Sequence, residues 1–449
     1  MTQRDNNWTI MIDSWGGFCP AYFDNSWTFY GNKDQANDMT DINLLDPNVL
    51  TQGPRAVNLV NGDENGSITT LISSMMKGIV SDNVSYGIGG SKLYQYSATA
   101  VTNAGNWPHT ITGSGTITGC DVVHYKGYVL YSYNDSDLGG AGIQKGNIGA
   151  YNIETPGFDD TYWTGTLSGT ALEDAPHYMI VGGDDVCYIT NGQYIAKLDG
   201  VTDDHQALDF WQNSVVVSLT WNQNRIWAAV NRPNVSGSNF NQSGIYRWNG
   251  VYSSWEGDPI EVSGRIGALY TKNGVTYVWW QEGTSNGGYT FGFINGIILQ
   301  PIRRYKGSLP THAQVGEYEG LLGWISNNKL YLWGSKDPDT AVKLFQYASP
   351  YKATAGAWAA PFGTPLIASY AGSNYSLAKL TDYAITSNWT HKAFKVSGAD
   401  FTSQIDLIQI EFEPLATGAK LDTTLYLSLI HISEPTRPLY ISYAVFCLK

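Results

Sequence analysis

A short pattern of apolar and small residues recurs seven times along the chain. Each copy has an aliphatic or aromatic residue, a small or aromatic residue, a variable residue and a bulky residue, and usually ends on a turn former. The copies are Leu93–Ser97, Ile148–Asn152, Ile195–Asp199, Ile245–Asn249, Phe291–Asn295, Leu344–Ala348 and Leu377–Thr381. A period of about 47 residues in a strand-rich chain is typical of β-propeller blades. The pattern therefore predicts an all-β fold, a β-propeller of six or seven blades.

Between the copies, β-rich runs are joined by turn residues that favour hairpins. Val217–Trp221 and Arg225–Val230 flank the turn Asn222–Asn224, and similar turns occur at Lys126–Gly127 and Lys272–Gly274. Asn and Gly accept the left-handed backbone conformation that matches the twist of paired strands. Each blade is therefore predicted to contain a hairpin followed by the recurring phrase as its third strand.

The first and last repeats deviate from this scheme. The final two copies are only 33 residues apart, from Leu344 to Leu377, which is short for a four-stranded blade. The seventh blade is either reduced or receives its last strand from elsewhere, with Trp8–Trp15 as the candidate. Residues 67–80 combine helical spacing with strand formers, and an inner strand of the first blade is the favoured interpretation.

Four regions are predicted along the chain. Residues 1–66 form a loop-rich segment with one strand, and 67–382 form the propeller. Residues 383–426 begin a small, truncated β-sandwich, because Gln404–Glu413 alternates between apolar and polar positions. Residues 427–449 resemble a translated sequencing-library adapter, so we expect a non-native tail there and exclude it from fold prediction.

Composition and charge narrow the functional classes. Thirty Tyr, 16 Trp and 49 Gly with only 14% charged residues favour strands and tight turns. The formal net charge of −13, with scattered basic residues, argues against nucleic-acid binding. No apolar run approaches the roughly 20 residues of a membrane-spanning helix. The first residues lack the apolar core of a signal peptide, so we expect synthesis in the cytoplasm.

Residue chemistry predicts no catalytic residue, no cofactor and no metal. Cys19, Cys120 and Cys187 are too widely spaced for a disulfide framework or a metal site. His109 and His177 each follow a proline, and we expect them to form structural hydrogen bonds in loops. The run from Asn61 to Gly66 begins like a calcium loop, but Ile72 stands where a bidentate Glu is required.

Paired aspartates are the only candidates for glycosidase carboxylates. They occur at Asp159–Asp160, Asp184–Asp185 and Asp203–Asp204, each beside a turn. Aspartate commonly caps backbone amides at turns, so capping is the favoured interpretation.

Tryptophans are the candidates for sugar binding, because an exposed indole face can stack on a pyranose ring. Most alternate within strands, which favours packing between blades. Trp163, Trp255 and Trp358 fall in predicted loops and are the candidate glycan-stacking residues.

Several loop phrases are similar to those of a known class of phage protein. They are Gly31–Ala36, Asp46–Pro54, Ser85–Tyr94, Ala360–Pro365 and Glu413–Ala419. Through them, residues 13–426 resemble β-propeller virion proteins of tailed bacteriophages, found in tails and at head-to-tail junctions. The resemblance implies a non-enzymatic structural role in the virion, with other virion subunits as partners.

Three functions remain open from the sequence. The first is a rigid virion scaffold in a tail or head-to-tail assembly. The alternative is a carbohydrate-binding propeller that recognises host glycans, and the least favoured is a propeller glycosidase or lyase.

Overall fold

The computed structural model describes most of the predicted propeller and short strands outside it. The main described ranges are 55–59, 68–80, 83–138, 144–200, 203–232, 242–282, 288–305, 307–334, 343–348 and 354–381. The remaining described strands are 17–18, 35–40, 42–43, 51–52, 387–391, 421–430 and 439–448. Trp8–Trp15, Asn61–Gly66 and Gln404–Glu413 lie outside these ranges. Within them, the fold is an all-β propeller with seven blades, in agreement with the upper predicted count.

The first three blades follow one another in sequence. Blade 1 contains Ser74–Met75, Ser85–Gly89, Lys92–Tyr96 and His109–Thr110. Blade 2 contains Ile117–Tyr125, Tyr128–Asp135, Gln144–Asn152 and Gly157–Asp159, and Leu172–Glu173 also pairs with its third strand. Blade 3 contains Met179–Val181, Cys187–Asn191, Tyr194–Leu198 and Asp203–Asp209. The prediction of an inner strand within residues 67–80 is confirmed by Ser74–Met75.

Blades 4 to 6 repeat the same antiparallel order. Blade 4 contains Val215–Asn222, Arg225–Arg232, Gln242–Trp248 and Glu256–Ser263. Blade 5 contains Arg265–Lys272, Val275–Gln281, Tyr289–Asn295 and Ile298–Tyr305. Blade 6 contains Val315–Tyr318, Leu321–Ser326, Lys329–Gly334 and Lys343–Ala348. A π-helical turn at Tyr162–Thr166 and a 3-10 turn at His312–Gln314 lie between blades.

Blade 7 is assembled from two distant parts of the chain. Thr354–Ala359, Leu366–Ala371 and Asn374–Thr381 supply three strands, and Arg55–Asn58 supplies the fourth. The prediction that the last strand comes from elsewhere is therefore confirmed. Its proposed source was wrong, since the strand is Arg55–Asn58 and not Trp8–Trp15.

The first strands of successive blades contact one another in a closed ring. Each contacts the first strand of the next blade, and Thr354–Ala359 of blade 7 contacts Ser74–Met75 of blade 1. These strands are therefore the innermost elements, as the radial arrangement of a propeller requires.

The recurring phrase lies in the third strand of six blades, and its pattern follows from burial on both faces. In blade 6 the phrase Leu344–Ala348 falls in the fourth strand, Lys343–Ala348, so the prediction of a third strand was wrong there. In blade 1, Tyr94 and Tyr96 pack with blade 7, whereas Leu93 packs with blade 2. In blade 3, Ala196 and Leu198 pack toward blade 2, and Ile195 packs toward blade 4. Neighbouring side chains of a strand point to opposite faces. Apolar residues are thus required at adjacent positions, because each blade lies between two others.

The predicted hairpin turns adopt the left-handed backbone that their residues favour. Asn327 and Asn328 have φ of 49° and 62°, and Asn273 and Gly274 have φ of 49° and 75°. These values match two-residue turns whose twist suits antiparallel strands.

By compactness the chain divides into two units. One covers 56–330 and 349–380 and carries all the side-chain contacts described below. The other covers 1–55, 331–348 and 381–449 and contains a five-stranded sheet. That sheet has the order Gly17–Phe18, Gln35–Thr40, Ser387–His391, Leu439–Leu448 and Leu421–Ile430. A strand crosses residue 427 without interruption, and nothing supports the adapter interpretation. The β-sandwich and the domain boundaries stay predictions.

Candidate functional site

Polar side chains from several blades meet at the innermost strands. We call Ser74, Lys77, Asp121, Ser218 and His312 the axial cluster. Four innermost strands contain an irregularity in register, and in two of them a member of the axial cluster directly follows it. These are the shifts between Gly119 and Asp121 and between Val216 and Ser218. A β-bulge re-aims the side chain beside it, so these bulges help to bring polar groups together.

Asp121 connects three blades through its carboxylate. Oδ1 accepts hydrogen bonds from Ser74 Oγ of blade 1 and from the Val122 backbone N–H at 2.9 Å. Oδ2 accepts one from the Met179 backbone N–H of blade 3 at 2.7 Å. Burial raises the pKa of this carboxyl to about 6, although the hydrogen bonds and the charge of Lys77 lower it. Asp121 is therefore a buried acceptor whose partners are backbone and hydroxyl donors.

Lys77 connects blade 1 to the adjacent blade 7 and to the turn that leads into blade 6. Its Nζ donates to the carbonyl oxygens of Ala313 at 3.3 Å and Trp358 at 3.1 Å. The side chain retains solvent-accessible surface, yet desolvation lowers its pKa to about 8. The lowered pKa and the accessible surface are compatible, because protein surrounds the ammonium group while part of the side chain still reaches solvent. Two carbonyl acceptors and Asp121 favour the ammonium form, so we treat Lys77 as charged at neutral pH.

His312 lies in the 3-10 turn that leads into blade 6. Its Nδ1 is 2.8 Å from Ser218 Oγ of blade 4, and its ring centroid is 5.0 Å from that of Tyr178. Ser218 Oγ also accepts the Leu269 backbone N–H of blade 5 at 2.9 Å. Burial, assisted by Lys77, lowers the pKa of His312 to about 3. The imidazole is therefore neutral near pH 7 and links blades as a hydrogen-bonding group.

Asparagines at the ends of second strands provide further links between blades. Asn134 Nδ2 of blade 2 donates to the Ala175 carbonyl before blade 3, at 2.9 Å. Asn231 of blade 4 pairs with both backbone groups of Ile266 in blade 5, at 2.9 and 2.8 Å. An amide side chain can satisfy a backbone donor and acceptor together, which suits it to a seam between sheets.

Two of the three predicted glycan-stacking residues are buried, so the expectation that they are exposed was wrong. Trp163 and Trp358 each have 0% exposed surface. Their indole nitrogens donate to the carbonyls of Thr170 at 2.7 Å and Gln314 at 2.9 Å. A buried indole gains from ring burial once its N–H finds an acceptor, and both sites provide one.

Trp255 is half-buried and belongs to a group that we call the outer aromatic cluster: Phe210, Trp211, Tyr246 and Trp255. Trp255 stacks on Phe210 with ring centroids 5.6 Å apart and planes 10° apart. Its centroid lies 4.9 Å from that of Trp211 and 5.2 Å from that of Tyr246. Trp211 remains 39% exposed. The cluster lies between the fourth strand of blade 3 and that of blade 4.

Arg232 completes the outer aromatic cluster. Its guanidinium carbon lies 3.6 Å from the Trp211 ring centroid, and Nη2 donates to the Tyr246 hydroxyl. The sequence analysis did not identify Trp211. The pair Phe210–Trp211 directly follows a strand, and this position at the end of a blade could have indicated an exposed aromatic residue.

The paired aspartates cap turns, as predicted. In each pair one Asp Oδ1 accepts the backbone N–H two residues later, at 3.0 to 3.3 Å. The bonds join Asp159 to Thr161, Asp184 to Val186 and Asp204 to Gln206.

The two Pro-His histidines also form structural hydrogen bonds, as predicted. His109 Nε2 lies 2.7 Å from Asp160 Oδ1, and its ring stacks on Phe158. His177 is fully buried, with Nδ1 2.9 Å from the Thr190 carbonyl oxygen.

Statements about metal sites and membrane-spanning helices concern the described part of the chain. There, no three His, Cys, Asp or Glu side chains lie close enough to share a metal ion. None of the helices described there has the length and hydrophobicity to span a bilayer. Cys120 and Cys187 are free thiols.

Comparison with known proteins gives distant structural likenesses. No family model and no curated protein matches the sequence. The extracellular domains 1-2 of Drosophila Semaphorin 1a are 10% identical, with a TM-score of 0.45, over 74% of this chain and 89% of that chain. The extracellular domain of the putative hybrid two component system BT3049 from B. thetaiotaomicron is 11% identical, with a TM-score of 0.46, over 93% of this chain and 59% of that chain. Likenesses this distant carry no functional argument.

Proposed function

We propose that this protein is a non-enzymatic structural and interaction component of a tailed-phage particle, in which the propeller is a rigid scaffold. The observation that carries the proposal is the axial cluster, whose polar groups bind blades to one another. Asp121 joins blades 1, 2 and 3, and Lys77 joins blade 1 to Trp358 of blade 7. Because these side chains form hydrogen bonds between blades, their role is to stabilise the propeller.

Rigidity follows from the burial of the hydrogen bonds that Asp121 and Asn231 form between blades. Hydrogen bonds to charged groups contribute about 1.5–3 kcal/mol each, and a buried donor left without its partner costs about as much. Sliding blade 2 against blade 1 or blade 3 would break bonds of Asp121, and sliding blade 4 against blade 5 would break those of Asn231. The ring therefore resists deformation, as a scaffold within a particle must.

The phage assignment depends on the loop phrases that resemble tailed-phage propeller proteins. Net charge supports it in one respect. The formal net charge of −13 repels DNA. A component that lines a DNA channel would therefore not bind the genome while it moves through the channel.

Purified particles provide the test. Mass spectrometry of particles from the source phage should detect peptides from blades 1 to 7 in fixed stoichiometry. Cryo-electron microscopy should show a seven-bladed ring at the tail or at the head-to-tail junction. Absence of the protein from gradient-purified particles would end the proposal.

A carbohydrate-binding function is the second candidate, and the outer aromatic cluster favours it. Trp211 is 39% exposed and Trp255 is half-buried, with a guanidinium beside them. An aromatic face packs against the C–H groups of a sugar ring, and an Arg can hydrogen-bond the neighbouring hydroxyl or carboxylate oxygens.

A glycan array with matched variants tests this second candidate. Trp211→Ala and Trp255→Ala should each abolish the signal. Trp221→Ala should keep it, because Trp221 is a half-buried Trp that packs on Tyr188. An array without signal for the unmodified protein would count against carbohydrate binding.

A further inference from the structure

Blade 7 differs from the other blades in how its fourth strand arrives. In blades 1 to 6 the fourth strand follows the third along the chain. In blade 7 the fourth strand, Arg55–Asn58, precedes the third strand, Asn374–Thr381, by more than 300 residues. The ring is therefore closed by a non-covalent contact between distant segments.

The closing segment is short and is anchored at its end. The Leu59 backbone N–H donates to the Leu377 carbonyl at 3.0 Å, and Ser376 Oγ donates to Asn58 Oδ1. Leu59 is 3% exposed and packs with Ala357 and Leu366 of blade 7. We call residues 55–59 the latch and the strand Asn374–Thr381, with which it pairs, its receptor strand.

We propose that the latch is exchangeable, and that the latch of a second copy of this chain can close blade 7. The receptor strand meets the same residues whether they come from its own chain or from another. Exchange of residues 55–59 between identical chains therefore preserves the contacts that the latch makes with blade 7. The occupant is defined by the structure itself, which shows residues 55–59 seated on this strand.

Geometry permits a reciprocal pair of rings. Eight residues, 60–67, connect the latch to the first described residue before blade 1. Eight residues reach at most about 26–29 Å when extended, so the two rings must lie with their seventh blades close together. Mutual donation of latches would give a dimer with two-fold symmetry, in which both seventh blades are complete.

Cysteine pairs distinguish the two sources of the latch. Asn58 and Ser376 are in side-chain contact, so Asn58→Cys and Ser376→Cys in one chain should form an internal disulfide on oxidation. The decisive sample mixes an Asn58→Cys chain with a Ser376→Cys chain that carries a larger tag. Both are taken together through mild denaturant, refolded at high protein concentration and then oxidised.

The expected product is a mixed disulfide dimer whose yield rises with protein concentration. Each single variant alone is the control for adventitious disulfides through native cysteines, and should give much less of any dimer. Leu59→Ala in the Asn58→Cys chain should lower the mixed yield several-fold, because the anchor of the latch is lost. Native mass spectrometry of differently tagged chains without added cysteines should show the same mixed dimer.

Two outcomes would overturn the proposal. An internal disulfide in the double variant without any mixed dimer would show that the latch closes only its own ring. No disulfide in the double variant would show that residues 55–59 do not occupy the receptor strand.

Discussion

The axial cluster and the outer aromatic cluster both lie between blades, yet they join them by different physics. In the axial cluster, Asp121 and Lys77 bind specific backbone groups across seams at 2.7 to 3.3 Å. In the outer cluster, the Trp255 ring packs on the other three rings at centroid distances of 4.9 to 5.6 Å, and Trp211 stays 39% exposed. Loss of a buried hydrogen-bonding group leaves its partners unsatisfied, whereas loss of a surface ring exposes area to water. The interior should therefore tolerate change less than the rim.

Removal of the Asp121 carboxylate should have the largest effect. Asp121→Ala leaves the buried Met179 N–H and Ser74 hydroxyl without their acceptor. At about 1–3 kcal/mol for each orphaned group, we expect the free energy of unfolding to fall by about 3 kcal/mol. Denaturant unfolding measures it, with the exposed turn residue Asp204→Ala as the control. Equal effects of the two substitutions would refute the role of Asp121.

Truncation of Trp255 should have a smaller effect. Its ring packs on Phe210, Trp211 and Tyr246 but is only half-buried. We expect Trp255→Ala to lower the free energy of unfolding by about 2 kcal/mol, since complete burial of an aromatic ring is worth about 3–5. A loss larger than that of Asp121→Ala would reverse the contrast between the two clusters.

The axial cluster should also respond to acid, with two opposing contributions. The pKa of His312 is lowered from 6.5 to about 3, so the unfolded chain binds a proton first and stability falls as pH drops below 6.5. The pKa of Asp121 is raised from 3.8 to about 6, so its contribution to stability grows as pH falls through 6 toward 3.8.

Variants separate these two contributions. His312→Asn should reduce the acid destabilisation between pH 6.5 and 4. The slope of the free energy of unfolding against pH should fall there by the amount that corresponds to about one bound proton. Asp121→Asn should make that destabilisation steeper. Unchanged slopes in both variants would show that neither group titrates differently in the folded protein.

The smallest expected effect concerns the cation on the rim. Arg232→Lys keeps the charge but loses the planar stack on Trp211. We expect a loss of about 0.5–1 kcal/mol, and most of it should vanish in a Trp211→Ala background. A double-mutant cycle measures this coupling, and additive losses would show that the stack contributes nothing.

Prediction succeeded where a constraint acts locally on each repeat. The recurring phrase identified the third strand in six of the seven blades, because a strand between two neighbouring blades requires apolar residues at adjacent positions, as Leu93 and Tyr94 show. The hairpin turns could be predicted because Asn and Gly adopt positive φ with little conformational strain. The paired aspartates were correctly interpreted because an Asx turn needs only the residue two positions later.

Prediction failed where distant segments meet. Arg55–Asn58 has four residues, and only Ala56 and Val57 are apolar, so its pattern is too weak to compete with Trp8–Trp15. The sequence also did not show whether Trp163 and Trp358 are exposed, because both are buried against carbonyls of other segments. No short-range signal connects Lys77 to Trp358 or Ser218 to His312.

The sequence by itself determined the all-β class, the rhythm of the blades and the turns within them, because these depend on neighbours a few residues away. Only the tertiary structure decided the count of seven, the closure by Arg55–Asn58 and the meeting of Asp121, Lys77 and His312. Those features depend on the ring closing upon itself, which brings together residues up to about 320 positions apart. Local conformational preferences do not encode that separation in sequence, because it depends on how many blades are needed to complete the ring.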